Sequence, residues 1–100
     1  MSAVYIEADS RLITVDADSA RWLAAELSTA INGTLPGCAA AALEIESALD
    51  KSRGQPVRLA QVEREAILRV LETAAGSHWI SPPLARLRVA FLEEQLQALG

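Results

Sequence analysis

The sequence predicts an α+β domain that is predominantly α, and three observations predict it. Two short runs of alternating apolar and polar residues stand at the N-terminus with turn formers between them. Four longer segments repeat apolar residues at helical spacing. Glycine and proline mark the joints between those segments. Together they give an N-terminal β-hairpin, a third short strand and about four helices, in a single domain over residues 1–100.

The hairpin pairs Ala3–Ala8 (AVYIEA) with Leu12–Val15 across Asp9 and Ser10. Asp16 is placed to cap the first helix, and Asp18 adds favourable charge in its first turn. That helix is expected to run to about Ile31 and to stop at Asn32-Gly33. Pro36 suits the first turn of a second helix running from about Gly37 to Ser52 and ending near Gly54. Pro56–Leu59 (PVRL) reads as the third strand, and Ala60–Ala75 as the third helix with Gly76 as its stop. GSHWISPP is expected to be a loop. Ser81 followed by Pro82 then opens a fourth helix to Leu99.

The chain also reads as a strand–helix–helix unit used twice behind an extra strand. Ile13–Leu27 aligns without gaps on Val57–Leu71, matching Ile13 to Val57, Val15 to Leu59, Leu23 to Ile67 and Leu27 to Leu71. Generic amphipathic patterning would produce the same alignment, so duplication and coincidence both stand at this point.

Composition narrows the function classes. The chain is 51% hydrophobic, with mean hydropathy +0.20 and only four aromatic residues, so aliphatic side chains and alanine must fill the core. Lys51 is the single lysine beside eight arginines, a bias typical of high-GC bacterial or phage coding sequences. A net charge of −4 argues against general nucleic-acid binding, which relies on neutralising phosphates. The opening residues lack the basic and apolar regions of a signal peptide. The most apolar stretch, Leu35–Leu43, is too short to span a bilayer. A cytoplasmic protein without a membrane partner is expected.

The residues for common chemistries are sparse. Cys38 is alone, which leaves no internal disulfide and no cysteine-based zinc site. His78 is the single histidine, so no His–His metal pair and no HExxH motif can form. The pairs Glu44/Glu46, Glu63/Glu65 and Glu93/Glu94 are spaced so that their members do not face one another on a helix. The five glycines form neither GxGxxG nor a P-loop, and there is no GxSxG. The expectation is a non-enzymatic protein with no cofactor, no metal and no catalytic residue.

Attention therefore turns to apolar helix faces the core does not use. Ala20, Leu23, Leu27 and Ile31 form the core stripe of the first helix, with Trp22 nearly opposite. Trp22 either packs under the hairpin or another helix, or serves as an exposed aromatic anchor. Cys38, Ala42, Ile45 and Leu49 make the stripe of the second helix, leaving Leu43 outside it. The third helix presents Val62, Ala66, Ile67, Val70, Leu71 and Ala74, with Leu68 at the edge of its polar side and Glu65–Arg69 as a stabilising pair. The fourth helix carries two stripes: Leu84, Leu87 and Phe91, then Ala85, Val89, Leu92, Leu96 and Leu99, with Arg88 and Gln95 between them. The second stripe suits a partner or a second copy of the chain. Trp79, beside His78 in the loop, is either a lid over the helix ends or a presented binding element.

Three functions follow. The leading one is a protein–protein interaction module, self-associating as a homodimer through the C-terminal helix, with Trp22, Trp79, Val89, Leu92 and Leu96 as partner-binding residues. The second rests on RLITVDADSARWLAAEL (Arg11–Leu27), which resembles the opening strand and helix of the ribbon-helix-helix family of DNA-binding regulators. That resemblance implies Ile13 and Val15 pairing near Val57 and Leu59, with Arg11, Thr14 and Arg58 reading the major groove. The sequence departs from the family in its scarcity of basic strand residues, its negative charge and its preceding strand. The third is a small acidic phage or mobile-element protein that binds a host target.

Overall fold

The computed structural model of the chain describes residues 3–8, 10–29, 35–51, 56–77 and 80–99. Its elements run β1 (Ala3–Ala8), β2 (Arg11–Asp16), α1 (Ala17–Leu27), α2 (Cys38–Lys51), β3 (Pro56–Val57), α3 (Gln61–Ser77) and α4 (Pro82–Leu99). The α+β class, the hairpin, the third strand and the four helices are those the sequence predicts.

The hairpin forms because two alternating runs can bury one face each. Val4, Ile6 and Ala8 of β1 are buried, while Ala3, Tyr5 and Glu7 on its other face are half-buried. β2 pairs antiparallel over six residues, from Ala3↔Asp16 to Ala8↔Arg11, which brings Val15 beside Val4 and Ile13 beside Ile6. Only two residues connect the strands, and Ser10 takes the left-handed φ of 61° that so tight a connection demands. Asp9 lies outside the described residues.

β3 lies parallel to β1, with Tyr5↔Pro56 and Ile6↔Val57, so the sheet order is β2-β1-β3. Proline, which has no N–H to give a ladder, suits this edge position. The strand is shorter than the predicted Pro56–Leu59 because the next groups are already engaged by α3. The Leu59 carbonyl accepts from the Arg64 guanidinium. The Ala60 N–H donates to Glu63 Oε1 at 2.7 Å, half of a capping box.

Asp16 caps α1 as expected, its carboxylate accepting from the Ser19 N–H at 3.1 Å. The helix ends at Leu27, well short of Ile31. The Ser28 N–H is shared between Ala24 O and Ala25 O, and the Thr29 hydroxyl bonds back to Glu26 O at 3.0 Å. Such local side-chain bonds compete with continued helix. Ile31, Asn32, Gly33, Ser52 and Gly54 lie outside the described residues. Pro36 precedes α2 rather than opening it. Leu35–Cys38 makes a turn closed by the Cys38 N–H on Leu35 O at 3.3 Å, and Gly37 has φ 86°, as the third position of a type II turn requires. Gly76, predicted to stop α3, sits inside it: glycine permits a left-handed exit but does not force one, so helix continues to Ser77.

The core lies between the inner sheet face and the helices, centred on Ile6, Leu23, Leu27, Ile45, Ile67, Leu71, Leu84 and Leu87. Two expectations for α3 are corrected. Val62 is 42% exposed, and Leu68 is only 4% exposed. α3 packs against α1, α2 and α4, so its buried arc swings round to the α4 side and takes in Leu68. In α2, Leu49 is half-buried rather than fully so.

Two glycines separate backbone constraint from mere occurrence. A Cβ on Gly37 would lie 2.6 Å from the Val62 carbonyl oxygen, on top of its positive φ. A Cβ on Gly76 would meet nothing within 4 Å. Gly37→Ala should therefore destabilise by more than about 1 kcal/mol, and Gly76→Ala should stabilise by about 0.5–1 kcal/mol, both read from urea unfolding.

The Asp16 cap gives a pH signature. The Ser19 hydroxyl, then the Ser19 amide, hold the Asp16 carboxyl below its usual range. A depressed folded-state pKa contributes stability above the unfolded value, about 3.9, and loses it as pH falls through the folded value. The urea midpoint of the wild type should exceed that of Asp16→Ala at pH 7. That gap should narrow as pH drops below about 4, whereas the gap between Asp16→Asn and Asp16→Ala should not.

Candidate functional site: the outer side of α4

α4 begins at Ser81, whose carbonyl accepts the first helical bond from the Ala85 N–H at 2.9 Å, with Pro82 at the first helical position. Ser81 Oγ also meets Ser19 Oγ at 2.7 Å, tying the start of α4 to the start of α1. From there the helix presents three sides.

Leu84, Leu87, Ala90 and Phe91 are buried in the core. Ala85, Arg88 and Leu92 are half-buried, with Leu92 packed against the core cluster. Val89 and Leu96 are 45% and 61% exposed. The second apolar stripe read from the sequence is therefore divided: Ala85 and Leu92 belong to the flank of the core, and Val89 and Leu96 face outward. The Leu99 side chain lies outside the described residues.

Ion pairs to two neighbouring elements hold the helix. Arg64 Nε of α3 lies 3.3 Å from Glu94 Oε1, and Arg11 of β2 lies 3.1 Å from Glu93 Oε2. Pairs this exposed contribute at most about 1 kcal/mol. Their effect is to fix which side of α4 faces out. Sequence reasoning missed both, because partners on different elements leave no spacing signal. Arg88, which the sequence places between the two stripes, has its Nε buried without a hydrogen-bond partner among the described residues.

Trp22 is half-buried and packs against the core. It lines a groove of about 280 Å³ with Asp18, Ser19, Ile80, Ser81 and Leu84. The outward pair Val89 and Leu96 do not line that groove. Trp79 and His78 lie outside the described residues. A second groove of about 430 Å³ runs between α3 and α4 over Leu68 and Phe91, rimmed by Gln61, Arg64, Glu65 and Glu94. Glu65 accepts from Gln61 Nε2 at 3.2 Å there, in place of the predicted pairing with Arg69.

The strand pairing implied by the ribbon-helix-helix resemblance is corrected. β2 and β3 do run antiparallel to each other, but β1 lies between them. The three candidate groove readers do not share a face. Arg11 follows Ile13 and Val15 onto the helix side and bonds Glu93, whereas Thr14 is on the opposite face and Arg58 bonds Glu7 at 3.1 Å.

Cys38 is free and fully buried, and burial raises its thiol pKa. Among the described residues no group of three or more His, Cys, Asp or Glu could hold a metal ion. No described helix is long and apolar enough to cross a membrane. No protein-family model, curated protein or solved structure matches the chain.

The Ser19–Ser81 contact makes α4 placement measurable. Ser19 is buried, so each hydroxyl should stabilise the other. A double-mutant cycle of Ser19→Ala and Ser81→Ala should return a coupling of about 0.5–1.5 kcal/mol in unfolding free energy.

Proposed function

We propose that this protein is a non-enzymatic protein–protein interaction module that self-associates as a homodimer through α4. One observation carries the reading. Val89 and Leu96 stand exposed two turns apart, on the side of α4 turned away from Leu84, Leu87 and Phe91. The other two sides of the same helix are occupied by its own core and flank. Leu92, at the margin, would be covered further when Val89 and Leu96 are covered.

A non-enzymatic role is supported by the setting of the reactive groups. Cys38 is buried with its thiol favoured over the thiolate that nucleophilic chemistry needs. A cytoplasmic location, expected from the sequence, is kept as part of this proposal. The intervening β1 weakens the DNA-binding alternative, since the reading strands of that family pair directly with one another. A host protein as the occupant of α4 is the competing reading.

Light scattering separates these. The wild type should show twice the 10.7 kDa mass of one chain at high concentration. Leu96→Glu and Val89→Glu should return the single-chain mass and still melt cooperatively, with a midpoint that no longer rises with protein concentration. A wild type that stays monomeric throughout would overturn self-association and favour a foreign partner.

A further inference from the structure

The outer side of α4 has a finer pattern than two exposed aliphatics. Pro82, Arg86, Val89, Glu93 and Leu96 are all exposed, and at 100° per residue they fall within an arc of about 80°. Read along the helix they are apolar, positive, apolar, negative, apolar. Reversing the direction of reading keeps the apolar positions and exchanges the two charges. A surface of that kind is complementary to itself turned end for end.

We infer that two copies of α4 pair antiparallel about a two-fold axis near Val89, a geometry that rests on the self-association reading above. In this arrangement Arg86 of each copy opposes Glu93 of the other, Val89 opposes its own counterpart, and Pro82 opposes Leu96. The interface is isologous, as a closed dimer requires. Charge complementarity selects the direction. Parallel pairing would set Arg86 against Arg86 and Glu93 against Glu93, and like charges in register are repulsive. Glu93 can serve both contacts, because Arg11 engages Oε2 and the second carboxylate oxygen can accept from Arg86 of the other copy. The contact stretch from 82 to 96 is roughly 21 Å long. One helix pair of this length is smaller than a standard stable interface, so the dimer is concentration-dependent.

Cysteine trapping tests the geometry, with Cys38 kept because it is fully buried. Under mild oxidation Val89→Cys should form a covalent dimer, since only there do equivalent positions meet. Leu96→Cys should stay single-chain, its two copies being about 20 Å apart, beyond disulfide reach. Mixing Leu96→Cys with Pro82→Cys should give covalent pairs. Sedimentation velocity supplies the second arm. Arg86→Glu and Glu93→Arg should each weaken the dimer at least about tenfold, and the double variant should restore it, since only antiparallel pairing recovers opposite charges. Thermal melts check that Glu93→Arg, which also loses Arg11, remains folded. A wild-type dimer in which Leu96→Cys traps itself, or in which the double variant stays weak, overturns the antiparallel geometry and leaves self-association intact. A wild type monomeric at every concentration overturns both.

Discussion

The position of β1 between β2 and β3 governs the rest of the molecule. Its alternation puts Val4, Ile6 and Ala8 on one face, and the register carries Ile13, Val15 and Val57 onto that same face. A sheet with one apolar face accepts helices on that side alone. α1, α2 and α4 each touch β1, and α3 packs against all three of those helices. On the opposite face Tyr5 and Glu7 are half-buried, Leu12 and Thr14 are exposed, and Arg58 pairs with Glu7.

That one-sided arrangement decides what α4 can show. It lies between α3 on one flank and β2 on the other, with an ion pair to each. Its rotation about its own axis is then settled by three independent demands: a buried stripe of leucines and Phe91, and two charged contacts. The exposed set from Pro82 to Leu96 is what these demands leave over. The charges on it are therefore available in a fixed order rather than scattered over a mobile surface.

Features written in neighbouring residues were legible. Alternation gave the hairpin, Asp16 gave the start of α1, and Ser81-Pro82 gave the start of α4. Contacts between distant elements were not. The parallel pairing of β3 with β1 leaves no local trace, and the resemblance drawn from Arg11–Leu27 assumed that β2 and β3 were neighbours. Gly76 and Gly37 show the same limit from the other side: identical residues, one accommodated in a helix and one required by a turn that backs onto Val62. Leu68, placed at the edge of the polar side, is buried because a periodicity argument knows the direction of a stripe but not how wide an arc three packed neighbours will cover. At the candidate site, the outward Val89 and Leu96 were legible from their offset to the core stripe. Leu92 was not separable from them, because its burial depends on what lies beside α4.

The partners of β1 also differ in when they become available. β2 follows it after two residues, whereas Pro56 lies 51 positions beyond Tyr5 in the register. A chain emerging from the ribosome can close the hairpin at once, yet the other edge of β1 stays open until β3 has been made and the helices between have compacted. An unpaired edge on an apolar strand is a template for any other extended chain. The order of synthesis therefore gives this small protein an interval of vulnerability, and the two-residue strand Pro56–Val57 is what ends it.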